Sequence, residues 1–156
     1  MNIKNHNMID IEKFNKALRR FNDFQQQIAD SKLEDEEFQP VEIPIYESYT
    51  DEELIDICEK YHINLIGIIT ERGVVANNTL SDSTIKFLNV INDAIINGSE
   101  PSELLSNIHL SEQHYNRILL GEVPVKDRHW RPLITQYNVN PLFAFEDSKI
   151  KYFIYD

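Results

Sequence analysis

Apolar side chains return every third or fourth residue in two long stretches of this chain, a period that amphipathic helices satisfy and alternating strands do not. From residue 10 to 28 they are Ile11, Phe14, Leu18, Phe21 and Ile28, with Gln25 in the same series. The pattern covers about two and a half heptads, short of the roughly three to four that mark a coiled coil. It predicts either a helix packed on its own domain or a dimerisation helix presenting Ile11, Phe14, Leu18 and Phe21. In the second stretch Ser81-Asp82 opens a helix carrying Ile85, Leu88, Val90, Ile91, Ala94 and Ile95. Asn97-Gly98 closes it, the glycine suiting a left-handed cap.

Between these helices the signals are shorter. Residues 30–40 read as a charged linker or a frayed helix end, closed by Pro40, with the acids Glu34–Glu37 on a solvated surface. Residues 41–49 contain Pro44 and are expected as an edge strand or extended arm. Thr50 and Glu53 form a capping box for a helix to about Tyr61, with Cys58 on its apolar side as a buried structural thiol. Leu65–Ile69 fits a short helix or a buried strand equally. Gly73 and Asn77-Asn78 mark a turn, and the boundary between two halves is expected near residues 73–80.

Two short helices follow in close succession. Pro101 suits the first turn of one that can reach only Ile108, because Leu110-Ser111 starts another. Tyr115, Ile118 and Leu119 give the second its apolar face, and Gly121 stops it. Two short helices joined by a tight turn make a helix-turn-helix, whose second helix can enter the major groove.

Residues 100–121 resemble the helix-turn-helix of the phage-repressor-type family (lambda repressor/Cro, XRE-like). Leu104-Leu105 stands at that family's Leu-Ala pair, His109 at its turn glycine, and Leu110-Ser111 at the start of its recognition helix. Tyr115 and Ile118 are at the helix's buried positions and Gly121 at its closing glycine. Ser83–Ile96 matches the family's first helix, and Leu133-Ile134 with Tyr137-Asn138-Val139-Asn140-Pro141 resembles its last, so the likeness spans about residues 82–145. The sequence departs from the pattern at Leu105, where a small Ala is usual, at His109, and at Leu119, which replaces a frequent Glu. Pro132 is expected to interrupt the helix after Lys126–Trp130 unless it stands near a helix start. The resemblance implies DNA binding through Ser111, Gln113, His114, Asn116 and Arg117, with Lys126, Arg128 and Arg131 (and His129 beside them) in a following loop on the backbone. Gln113 or Asn116 suits adenine, and Arg117 suits guanine or phosphate. Glu112 repels phosphate but can accept from cytosine, and Trp130 is expected in the core rather than as a stacking platform.

Charge opposes a generic nucleic-acid binder, since the chain carries a net −11. The excess is uneven: residues 1–106 hold 9 basic and 20 acidic side chains, whereas 107–156 hold 6 of each. A neutral C-terminal module is thus joined to an acidic one able to face a basic protein partner. The tail Lys149–Tyr155 is rich in β-formers and is expected as a docked strand, pairing with 41–49 or across a dimer.

With four glycines there is no phosphate-cradling loop, and no His-Glu-x-x-His or Cys-x-x-Cys occurs, so neither an enzyme, a cofactor nor a metal site is expected. The single Cys58 excludes an internal disulfide framework. No apolar run is long enough for a membrane span, and Met1–His6 does not read as a secretory signal; a cytoplasmic protein is expected.

The expected architecture is mainly α: an acidic, helical region 1–78 for dimerisation or partner binding, a helix-turn-helix bundle of about five short helices over 79–146, and a strand at 147–156, with a second strand at 41–49. The expected function is a sequence-specific transcriptional regulator binding double-stranded DNA as a homodimer. The alternative is a protein-binding module of phage or mobile-element origin (antirepressor, inhibitor or structural accessory protein) using the acidic surface.

Overall fold

Capping side chains fix where the helices begin. The computed structural model describes residues 9–31, 39–76 and 80–153. Among these are α1 (Ile11–Ser31), α2 (Asp51–Tyr61), α3 (Leu65–Ile69), α4 (Asp82–Ile96), α5 (Pro101–Asn107), α6 (Glu112–Leu119), α7 (Asp127–Gln136) and α8 (Pro141–Phe145). The chain is mainly α. Thr50 and Glu53 exchange hydrogen bonds of 3.1 and 2.8 Å at the start of α2. Ser81 Oγ accepts from Thr84 N–H at 3.3 Å, and Ser111 Oγ from His114 N–H at 3.0 Å. Each supplies an acceptor to N–H groups that have no partner inside the helix.

One termination device recurs. The N–H of Ile63 reaches Cys58 O, Ser99 reaches Ala94 O, Leu110 reaches Leu105 O and Glu122 reaches Arg117 O, all at 2.9–3.0 Å. These six-to-one bonds require a positive φ at the preceding residue. That residue is His62 (53°), Gly98 (112°), His109 (58°) and Gly121 (80°) in turn. His109 therefore does what glycine does after α4 and α6.

The core is continuous from Phe14 and Leu18 of α1 to Phe143 and Ala144 of α8, so it crosses the boundary region near residue 78. Helix α4 is central: residues 90–96 are all buried, and α2, α3, α6 and α8 pack on it. Asn92 ties it to the N-terminal half, donating to Ile63 O at 2.7 Å and accepting from Leu65 N–H at 3.2 Å. At the other end of the chain, Lys151 Nζ donates to Glu59 of α2 and, at 2.8 Å, to Asp93 of α4. Tyr152 OH adds a 2.6 Å bond to the same Asp93 carboxylate. Burial pushes the Asp93 carboxyl up, partly offset by these hydrogen bonds and the Lys151 charge.

Several expectations are corrected. Residues 41–49 form no strand, although they are extended. Their polar backbone is taken by amides of α1: Ile43 N–H donates to Asn22 Oδ1 (2.8 Å), Asn22 Nδ2 donates to Ile43 O (3.0 Å), and Asn15 Nδ2 donates to Tyr46 O (2.8 Å). The described part of the tail is likewise not a strand: a single antiparallel bridge joins Val139 to Tyr152, so the tail pairs with the α7–α8 connection rather than with 41–49. Leu65–Ile69 resolves as a helix capped by Asn64. Pro132 does not end its helix; α7 runs through it, held by the flanking Trp130 and Leu133, both buried in the core. Lys126–Arg131 is consequently the start of α7 and not a loop. Phe14 and Leu18, placed on a dimer face by one reading, are 0% exposed within the single chain, with Phe14 edge-on to Tyr49 at 5.4 Å. Ile11 and Phe21 are half-buried beside them.

Cys58 is buried, as its place on the apolar side predicts, and burial followed by the Asp93 and Glu59 charges pushes its thiol well above the ordinary range. It is therefore a poor nucleophile. Met1–His6, the acids Glu34–Glu37 with most of the 30–40 linker, the Asn77-Asn78 turn and the last three tail positions lie outside the described residues. Among the described residues, no helix is long and apolar enough to cross a membrane.

Candidate nucleic-acid interface

The central unit is α5, the turn at Ile108–Leu110, and α6. Helix α5 ends at Asn107 because Leu110 N–H bonds back to Leu105 O with His109 left-handed between them. The chain then turns into Ser111, whose hydroxyl caps α6. Leu104, Leu105 and Ile108 of α5 and its turn, with Tyr115, Ile118 and Leu119 of α6, are buried and fix the pair. Leu105 is accommodated beside α3: it lines a cavity of about 300 Å³ with Ile66, Ile69 and Leu110. Helices α4 to α8 fall within residues 79–146.

On the outer side of α6, Gln113 and Arg117 are exposed and His114 and Asn116 are half-buried. Arg117 Nε lies 3.3 Å from Glu122 Oε1, with both side chains about half exposed. An ion pair this open is worth at most about 1 kcal/mol, so a phosphate can displace it. Lys126, Arg128 and Arg131 are exposed at the start of α7. Ser111 is exposed, but its hydroxyl already serves the cap.

His129 has a different role from its charged neighbours. It is 2% exposed, and its Nδ1 accepts Lys126 N–H at 2.9 Å, closing the first turn of α7. Its ring lies 5.4 Å from that of His114, so α7 braces α6. Burial, with the Arg128, His114 and Lys126 charges, lowers its pKa to about 4, and the ring is neutral at physiological pH.

The acids around α6 are partly answered. Glu112 Oε2 stands 3.6 Å from Arg72 Nε, a cation 40 positions earlier in the chain. Glu100 caps α5, accepting from Ser102 and Glu103 N–H at 3.2 and 2.9 Å. Its pKa is lowered by these bonds, first of all by the Ser102 hydroxyl. Sequence reasoning missed Arg72, and no local signal marks it; only the α3–α4 turn brings it to α6. No group of three or more His, Cys, Asp or Glu among the described residues is placed to hold a metal ion.

The chain matches no family model, no curated protein and no solved structure.

Proposed function

We propose that this protein is a sequence-specific DNA-binding transcriptional regulator of phage-repressor type that reads duplex DNA with α6. The observation carrying this reading is the α5–His109–α6 unit. Two short helices meet through a left-handed turn, and the second has one fully buried face and one polar face bearing Gln113, Asn116 and Arg117. Such a helix offers amide and guanidinium groups to base edges, while Lys126, Arg128 and Arg131 at the next helix start suit phosphates.

The reading includes a homodimer acting in the cytoplasm, because two half-sites give a small module useful affinity. Phe14 and Leu18 are unsuited to the seam, being fully buried; exposed apolar side chains stand instead at Leu142, Phe145 and Ile150. The net −11 predicts weak non-specific binding and a strong dependence on the correct site.

The test is selection of bound duplexes from a random-sequence pool at low salt, followed by fluorescence anisotropy on the enriched duplex across a salt series, with Arg117→Ala alongside. Affinity that falls with salt and weakens several-fold in the variant supports the reading. Failure to enrich any sequence at low salt refutes it. A second reading, a protein-binding module, is favoured by the exposed acids Glu52, Glu53 and Asp56 on α2, which offer a basic partner one negative face.

A further inference from the structure

Four of the nine cations in residues 1–106 fall within eight positions, Lys13, Lys16, Arg19 and Arg20, with no acid among them. Helical spacing separates this run. Arg19 lies toward Glu47, Lys13 and Arg20 face a cleft of about 580 Å³ between α1 and the 67–74 segment, and Lys16 stands between the two, lining both. The acids in that cleft are Asp10, Glu12 and Glu71. Asp10 caps α1, its Oδ1 accepting from Glu12 and Lys13 N–H at 3.0 and 3.2 Å. Glu71 is taken by Lys13, whose Nζ lies 3.3 Å from it and donates to Ile69 O at 3.0 Å. Glu12 stands one turn before Lys16 and partly offsets it. Lys16 and Arg20 are both exposed.

The position of this cleft gives it meaning. Glu71 and Arg72 are consecutive; the first pairs with α1, and the second with Glu112 in the opening turn of α6. The cationic face of α1 and the N-terminus of the recognition helix are therefore on two sides of one turn. That turn is rigidly specified. Asn64 caps Gly67, Arg72 N–H donates to Gly67 O at 2.7 Å, and a Cβ at Gly67 would stand 2.6 Å from Gly73 O. A helix lying in the major groove, about 12 Å wide, has a phosphate strand on either side of it.

We propose that Lys16 and Arg20 bind the phosphate backbone of duplex DNA flanking the site read by α6, as a second, sequence-independent contact. The inference rests on the DNA-reader reading. It adds cations on the α1 side of the turn to those at the start of α7, where His129 between Arg128 and Arg131 lies 5.4 Å from His114 of α6. Arg72, pairing with Glu112, reduces the repulsion that this carboxylate exerts on the groove.

The test compares the full chain with the double variant Lys16→Ala/Arg20→Ala, both checked for equal melting temperature. Binding is measured over a salt series on a long duplex and on a short one covering only the α6 footprint. Each phosphate contact contributes about 0.9 to the slope of log affinity against log salt, so the variant should lose ~1.8 on the long duplex. On the short duplex the two proteins should agree, and base preference should be unchanged. Equal slopes on the long duplex, with the wild type binding well, overturn the inference and leave the reader standing. No wild-type binding to either duplex overturns both. Unchanged DNA slopes with lost binding to polyglutamate would assign this face to an acidic protein instead.

Discussion

Tyr115 offers a direct test of how α6 is held. Its ring is 0% exposed and packs 6.3 Å from Phe87, and its hydroxyl is buried with no hydrogen-bond partner. Burial pushes its pKa well above the ordinary value, so the group stays neutral. A buried hydroxyl without a partner costs about 1–3 kcal/mol relative to water. Tyr115→Phe removes that cost and leaves an oxygen-sized void of ~10 Å³, worth only ~0.2 kcal/mol at ~24 cal/mol per Å³. The variant should therefore be more stable by about 1–2 kcal/mol, a rise in Tm of about 3–6 °C for a chain of this size. Urea and thermal unfolding followed by far-UV circular dichroism measure it. Under the proposed DNA-reader function, affinity for duplex DNA is unchanged, because the altered atom is buried in the core. A loss of stability above ~0.5 kcal/mol would refute the reasoning and show that the hydroxyl is satisfied, for instance by an ordered water.

Three further outcomes follow from the same structure. Lys151→Met removes the cation shared by Glu59 and Asp93 and leaves a carboxylate 3% exposed without it; unfolding should show a loss of about 2–3 kcal/mol, less than for a fully buried pair. His129 is held neutral, so its contribution is complete above the unfolded value of 6.5 and is lost as pH falls toward about 4. That window is worth at most about 3 kcal/mol. The pH–stability profile of His129→Asn should lack this loss, whereas Asp93, shifted up, titrates in the opposite sense in both proteins. Gly67→Ala must move the 72–74 backbone, and should cost about 1–3 kcal/mol in chemical denaturation and weaken the Arg72–Glu112 pair.

What the sequence made legible was local. The Thr50–Glu53 box, the Ser81 and Ser111 caps and the Gly98 and Gly121 stops each close hydrogen bonds within six residues, so their partners are visible in the string itself. His109 was legible only through its alignment with a turn glycine, since histidine has no strong preference for a positive φ. The extended segments failed for a specific reason. Residues such as Val41–Tyr49 suit an extended backbone whether its partner is a strand or the amides of Asn15 and Asn22, and the period of α1 does not reveal that those polar positions serve it. Likewise the a/d pattern of α1 announces an apolar face but not what covers it. At the candidate site, the exposed residues of α6 could be read from helical phase. The Arg72–Glu112 pair, the burial of His129 among cations, and the cleft facing Lys16 and Arg20 depend on contacts across tens of residues.

The Lys151 clamp has a consequence for how the chain is made. Its cation lies 92 positions after Glu59 and 58 after Asp93. During synthesis from the N-terminus, α2 and α4 emerge with two carboxylates facing one place and no lysine to separate them. Their repulsion disfavours close packing of the two helices until residue 151 has left the ribosome. Close packing of α2 on α4 is thus expected only after Lys151 has come between Glu59 and Asp93.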